Sequence, residues 1–310
     1  MAKVFVDGSA GTTGLRIRER LENRKDIELI ILDDEHRKDV NCRREALNSA
    51  DIAFLCLPDQ AAIDAVSLVE NNKTVIIDTS TAHRTNPDWV YGMPELLEQR
   101  EKIRTAKRIA NPGCHASGFI ALVAPLIHSG IIDKSKRLSA YSITGFSGGG
   151  KKRIEQYNDL SHDRLLNAPR IYALGQEHKH LPEMVLYGGV EYEPIFAPII
   201  APFYAGMELS IPIFASEING TIEDVKNAYR AYYKDGLIKF FDGELPLEEN
   251  GFLSSNVLEG RDDMQISVAG NEERFLLVSQ YDNLGKGASG AAIQNMNIVL
   301  GVEETLGLNI

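Results

Sequence analysis

Cysteine, tryptophan and long apolar runs are all scarce in this 310-residue sequence, which holds three cysteines and one tryptophan. Three thiols are too few for a disulfide scaffold. No window approaches the roughly 18 apolar residues that a membrane-spanning helix requires. Positive charge is also short: 33 lysines and arginines against 44 acids leave a net charge of −11. That balance argues against nucleic acid or an anionic membrane as the main partner, and any anionic small molecule would need local basic residues. The amino-terminal "MAKVFVDGSAG" enters an apolar run without the hydrophobic stretch and cleavage site of an export signal. A cytoplasmic location with reduced thiols is the expectation.

What is present is an ordered composition, 44% hydrophobic and 25% charged, in a length that fits two domains. The first third alternates strand-like and helix-like segments: "KVFVDG", "TTGLRIRERLENR", "IELIILDD", "ADIAFLCLP", "DQAAIDAVSLVENN" and "KTVIIDTS". Short apolar strands separated by amphipathic helices predict a doubly wound, parallel α/β sheet of the Rossmann type, with ligands bound beyond the strand carboxyl ends. After Pro112 the texture changes. "FIALVAPLIHSGII" reads as a helix, whereas "RLSAYSITGFSGGG", "MELSIPIFA", "QISVAGN" and "RFLLVSQYDNL" read as strands. This half is expected to be α+β on a mostly antiparallel sheet. The closing "GAAIQNMNIVLGVEETLGL" returns to helical spacing and is expected to fold back onto the first domain. The expected division is a dinucleotide-binding domain over 1–112, joined by a helix over 287–310, and a catalytic and dimerisation domain over 113–286.

The loop "GSAGTTG" joins the first strand to the first helix, so Gly8, Gly11 and Gly14 would let backbone approach a pyrophosphate at a helix N-terminus. The spacing is GxxGxxG, and a glycine-rich βα turn without a ligand is the plain alternative. Asp33 lies nineteen positions beyond Gly14, where an acid takes ribose hydroxyls and favours NAD. Arg37 and Lys38 follow at once and suit the 2′-phosphate of NADP. The residues leave the two cofactors open.

Of the three thiols, Cys56 sits in the apolar "AFLCLP" and reads as core, and Cys42 in the polar "DVNCRRE" as a position without chemistry. Cys114 differs because Pro-Gly fixes a turn before it and a helix follows. A helix N-terminus favours the thiolate, and its N–H groups suit an oxyanion. "QEHKHLPEM" places His178 and His180 two apart, on one face if the segment is a strand, where either would serve as a base beside a thiol. No further ligands complete a metal site there. Arg84 in "DTSTAHR" and Lys151 to Arg153 after "GFSGGG" are the basic candidates for an anionic substrate, with plain surface charge as the alternative.

Together "GSAGTTG", "NPGCHAS", "GFSGGGKK", "GQEHKHLPE", "PIIAPFYAGM" and "DNLGKGASGAAIQNMNI" resemble, in order and from end to end, the N-acetyl-gamma-glutamyl-phosphate reductase family in its shorter form. The resemblance implies NADPH-dependent reduction of an N-acetylglutamyl phosphate to the semialdehyde in arginine synthesis. By it, Cys114 is the nucleophile and His178 or His180 the acid/base. The cofactor set it implies is Gly8, Ser9, Gly11, Thr12, Thr13, Gly14, Arg37, Lys38, Ser80, Lys286 and Gly287. The substrate set is Arg84, Asn111, Glu177 and Lys151, with no metal, and a homodimer or homotetramer is expected. The rival readings are a related reductase of aspartyl phosphate or a carrier-linked acyl phosphate, and a dinucleotide-binding redox regulator without turnover.

Overall fold

A computed structural model describes residues 1–243 and 251–310. It resolves into two compact units, Met1–Gly113 with Ala288–Asn309, and Cys114–Gly287. The expected second domain spans 244–250, which lie outside the described residues.

The first unit opens with β1 (Ala2–Asp7), α1 (Thr12–Leu21), β2 (Ile27–Ile30), α2 (Val40–Ser49), β3 (Ile52–Leu55), α3 (Asp59–Ser67) and β4 (Val75–Asp78). It continues through β5 (Val90–Tyr91), α4 (Gln99–Thr105) and β6 (Arg108–Ala110). The sheet order is β2-β1-β3-β4-β6-β5, parallel throughout. Successive residues of β1 show why these strands read as continuous apolar runs. Val4 and Val6 pack with Ile17 and Leu21 of α1, whereas Phe5 packs with Leu47 of α2 and Ala62 of α3. Period-two alternation delivers apolar side chains to both faces because helices cover both.

The second unit begins with α5 (Cys114–His128), β7 (Ser139–Gly145), α6 (Gly150–Asn158), β8 (Arg170–Ile171), α7 (Leu181–Gly188), β9 (Ile195–Ala201) and β10 (Met207–Phe214). Then come α8 (Ile222–Tyr232), β11 (Ile238–Phe240), β12 (Met264–Gly270) and β13 (Arg274–Tyr281). Its sheet order is β11-β12-β13-β10-β7-β9-β8, antiparallel except for the β11–β12 and β7–β9 pairs. Four of its six pairings are antiparallel, as expected, and the two parallel ones make the sheet mixed. Helix α5 packs against α7 and α8 and against β10 and β13. Burial on nearly every side explains its unbroken apolar sequence.

Pro125 lies inside α5 and has no N–H for the carbonyl of Ala121. The Tyr233 hydroxyl donates to that carbonyl at 2.8 Å, and the Tyr229 hydroxyl donates to the Leu122 carbonyl at 2.7 Å. The Tyr233 phenol thus replaces the donor that the proline removes, and the Tyr229 phenol serves the neighbouring carbonyl.

The chain closes with α9 (Gly290–Leu300), which packs on α1, α4 and β4 in the first unit. The helix expected over 287–310 is shorter than that, because Gly301 takes a left-handed φ of 67° and caps it. Helices α2 and α8 stand where the sequence was not read as helical. Strand β2 stops at Ile30, so Asp33 and Asp34 lie beyond it in a turn rather than at its end.

Candidate active site

In the first unit the glycine loop has the steric form that a close backbone approach requires. Gly8 holds φ at +85°, and a Cβ there would collide with the Cys56 carbonyl oxygen, while one at Gly14 would collide with the Gly8 carbonyl. The Gly11 amide donates to Gly8 O at 3.0 Å, and Gly11 then starts α1 with no side-chain cap. Ser9 lies in this turn, and Thr12, Thr13 and Gly14 form the first turn of α1. The loop's side of the sheet carries a cavity of about 280 Å³ whose lining includes Gly8, Ser9, Arg37, Lys38 and Arg43.

Asp7 ends β1 and is 4% exposed; burial lifts its carboxyl above the usual range despite the fork of Arg43. That fork is bidentate, with Nε and Nη2 donating to Asp7 Oδ2 at 3.1 and 2.8 Å. Asp33 is engaged with its own turn. It accepts from the amides of Glu35 and His36 and from the His36 ring, and these contacts hold its carboxyl below the ordinary range. Asp34 pairs with Arg37 at 2.9 Å.

Ser80 donates to Asp78 at 2.7 Å and is buried. Asp78 also binds His83 Nδ1 at 2.7 Å, and the His83 ring stacks on Trp89 with centroids 4.0 Å apart. Arg84 is 7% exposed. Its Nε and Nη2 donate to the carbonyls of Asn111 and Thr79, each at 3.0 Å. Asn111 is buried in turn, donating to Ala288 O and accepting from Asn295. Arg84 and Asn111 thus brace the backbone of the Asn111-Pro112-Gly113 turn that leads to Cys114.

In the second unit Cys114 is the first residue of α5 and half-buried. Its carbonyl accepts from the Tyr281 hydroxyl at 2.7 Å, a contact that Gly118 admits because a Cβ there would stand 2.5 Å from that oxygen. Gly287 abuts the nucleophile candidate: a Cβ at Gly287 would lie 3.0 Å from the Cβ of Cys114. Position separates the three thiols. Burial pushes Cys56 up to about 12, and burial with the Asp39 carboxylate pushes Cys42 upward, so neither favours a thiolate. Cys114 alone starts a long buried helix, where the helix dipole favours negative charge.

His178 and His180 are not on a strand. Residues 172–180 are irregular and lead into α7, because the Pro182 ring starts that helix and His180 caps it. The turn still brings the rings together, with centroids 4.7 Å apart and the His180 amide donating to His178 Nδ1 at 3.2 Å. His115, adjacent to Cys114, lies edge-on to His178 at 5.3 Å and tilted to His180 at 5.6 Å. Lys286 is buried in the π-turn Gly285–Ser289. Glu177 is exposed, and Lys151 is a solvent-facing residue of α6 within 4.0 Å of Glu155. The structure thus gathers Cys114, His178, His180 and Gly287 around the start of α5 and leaves Glu177 and Lys151 on the surface.

The sequence reading passed over His115, Tyr172, Ser142, Asp7 and Arg43. His115 carried a signal, a titratable residue directly after the candidate nucleophile; the others had none at the level of spacing. Among the described residues no group of His, Cys, Asp or Glu has metal-site geometry, and no helix is long and apolar enough to cross a membrane.

The family described as semialdehyde dehydrogenase, NAD binding domain, matches residues 3–106, and the semialdehyde dehydrogenase dimerisation domain matches residues 114–283. The first unit is therefore a nicotinamide-dinucleotide-binding domain. N-acetyl-gamma-glutamyl-phosphate reductases of Brucella ovis and Brucella melitensis are each 45% identical over 96% of this chain and 99% of their own. Among solved structures, aspartate semialdehyde dehydrogenase II of Vibrio cholerae, complexed with ASA, superposes with a TM-score of 0.73. It is 17% identical over 97% of this chain and 98% of its own. The Candida albicans aspartate semialdehyde dehydrogenase with NADP gives 0.65 at 14% identity over 97% and 99% of the two chains. At such identities these structures share the fold. The chain belongs to the semialdehyde dehydrogenase family and, within it, to the N-acetyl-gamma-glutamyl-phosphate reductases.

Proposed function

We propose that this chain reduces N-acetylglutamyl 5-phosphate to N-acetylglutamate 5-semialdehyde and phosphate, with NADPH, through a thioester on Cys114. The observation that carries the proposal is the placement of Cys114 at the first position of α5, on a braced Pro-Gly turn, with two histidines folded against the residue beside it. A thiolate there attacks the acyl carbon, the carbonyl oxygen takes the charge, and collapse expels phosphate and leaves the thioester. Covalent catalysis divides one hard step into two. Backbone N–H groups at the start of α5 stabilise the oxyanion, each donor being worth about 3 kcal/mol. When bound, the cofactor supplies hydride to the thioester carbonyl. His178 or His180 then holds the proton that the thiohemiacetal oxygen exchanges as it releases aldehyde and regenerates the Cys114 thiol.

A dinucleotide suits this loop because Gly8 and Gly14 let its backbone pack tightly against Cys56 and against itself, where any Cβ would collide, and α1 begins uncapped above it. Ser9, Thr12 and Thr13 complete that cradle, and Ser80, Lys286 and Gly287 are the remaining cofactor contacts. NADP over NAD is supported by the local engagement of Asp33 and Asp34 and by Arg37 and Lys38 on the cavity wall. Arg84 and Asn111 act through the turn they brace, and Glu177 and Lys151 are substrate contacts by position in the motifs alone. The second unit carries catalysis and dimerisation, and the protein works in the cytoplasm as a homodimer or homotetramer, which light scattering tests. Activity is tested with Cys114→Ser, expected to lower kcat at least a thousandfold while the cofactor still binds. Turnover near wild type in that variant contradicts the proposal.

A further inference from the structure

Three buried amides stand on α9, in the segment "IQNMN" that the proposed chemistry leaves without a role. Gln294, Asn295 and Asn297 are each fully buried. Two of them hold the chain that follows the helix. Gln294 donates to Glu304 at 3.2 Å, and Asn297 donates to the carbonyls of Glu304 and Leu306, each at 2.9 Å. Asn295 has other partners: its Nδ2 donates to the Gly92 carbonyl at 2.9 Å and to Asn111 Oδ1 at 3.3 Å. Gly92 and Asn111 stand side by side just past the paired ends of β5 and β6, where Tyr91 lies opposite Ala110. Asn111 in turn donates from Nδ2 to the Ala288 carbonyl at 3.0 Å.

Backbone carbonyls close both ends of this amide ladder, and they settle how each amide is turned. A carbonyl only accepts. Gly92 and Ala288 therefore require the NH2 groups of Asn295 and Asn111, which leaves the Asn111 oxygen to accept from Asn295. Gly92 is shaped for the contact, because a Cβ there would collide with Asn295 Nδ2. The arrangement also carries a cost: Asn295 Oδ1 is buried and, among the described residues, has no hydrogen-bond partner. A leucine of similar size would avoid that penalty. An amide kept in spite of it is explained by what its Nδ2 holds.

We propose that Asn295 is a positioning residue for Cys114, acting through Asn111 and Ala288. The inference rests on the reading of Cys114 as nucleophile. The ladder ties together the two stretches of chain that flank the thiol. Asn111 precedes the Pro112-Gly113 turn into Cys114, and Ala288 follows Gly287, where a Cβ would stand 3.0 Å from the Cβ of Cys114. The main chain of Asn111 is already fixed, its N–H donating to Asp78 O at 2.7 Å and its carbonyl accepting from Arg84 Nε at 3.0 Å. Asn295 fixes the side chain as well. Without that donor the Asn111 amide is free to turn, and its bond to Ala288 loses a set direction.

The test is steady-state kinetics on Asn295→Leu, with NADPH binding measured by fluorescence titration on the same preparation. The kcat is expected to fall about ten- to a hundredfold, the scale of a small misplacement of a reacting atom, with KM and the NADPH Kd within about twofold of wild type. Asn295→Ala removes the same donor without leucine's bulk and is expected to repeat that split. Asn111→Leu is expected to show a similar fall, and the double variant with Asn295→Leu no greater one, since both substitutions break the same ladder. Asn297→Leu, at the neighbouring amide that reaches Glu304 and Leu306 instead, is expected to lower stability in urea and leave kcat unchanged. Wild-type kcat in both Asn295 variants overturns the proposal. So do losses that add in the double variant, an NADPH Kd that rises in step with the loss of kcat, or an equal loss of kcat in Asn297→Leu. The reading of Cys114 fails separately, through turnover by Cys114→Ser.

Discussion

At Gly287 one hydrogen atom separates a working thiol from a displaced one. A Cβ at that position would stand 3.0 Å from the Cβ of Cys114 and 3.1 Å from the Asp282 carbonyl oxygen. Relief requires the start of α5 to shift by a few tenths of an ångström, and small misplacements of a reacting atom cost up to about a hundredfold in rate. Gly287→Ala is expected to lower kcat by about ten- to a hundredfold with the fold retained, as steady-state kinetics and circular dichroism would show. His115 makes a second claim at this scale. Its folded pKa, about 3, lies below the ordinary histidine value, so the unfolded chain binds the extra proton between the two. The stability it protects is fully present above about pH 6.5 and is lost as pH falls toward 3. Urea unfolding of wild type should therefore fall about 1.4 kcal/mol per pH unit more steeply than that of His115→Gln between roughly pH 6 and 4. Equal slopes would show that the ring is not buried as a neutral group.

Among the helices, α5 combines the most apolar sequence with a proline, and α8 supplies hydrogen-bond donors to its backbone. Tyr233→Phe leaves the Ala121 carbonyl, already deprived by Pro125, without its phenol donor. A loss of about 1–3 kcal/mol in urea unfolding is the expected cost of that unsatisfied buried acceptor. No loss would mean that water replaces the phenol. The sequence had shown α5 and most strands plainly, because apolar runs such as "VIID" and "FLLVSQY" carry their own periodicity. It concealed α2 and α8, whose polar residues dominate: in "VNCRREALNS" of α2 only Ala46 and Leu47 are fully buried. It put His178 and His180 on one face only if their segment were a strand, and Pro182 instead makes that segment the lead into a helix. The side-chain contacts of His115 were illegible for a different reason. Ser142, His115 and Tyr172 come from β7, α5 and the segment after β8, and only the pairing of the mixed sheet brings them together.

The whole molecule carries a net charge of −11, so an anionic cofactor and substrate must be met by local cations. Arg37 and Lys38 line the cavity beside the glycine loop, where the proposed reading seats the cofactor. NADPH at a hundred times its Kd should raise the unfolding free energy by about 2.7 kcal/mol, by mass action on the folded state. NADH at the same concentration should raise it less, and Lys38→Ala should narrow the difference. Equal stabilisation by the two cofactors would place the 2′-phosphate outside this cavity. The proposed activity depends on a covalent step at Cys114, and one assay reads that step. Purified protein is mixed with N-acetylglutamate semialdehyde, phosphate and NADP, and formation of reduced cofactor is followed by absorbance, with Cys114→Ser alongside. Phosphate-dependent reduction in the wild type and none in the variant is the expected result. Reduction that ignores phosphate, or that survives the loss of the thiol, would contradict it.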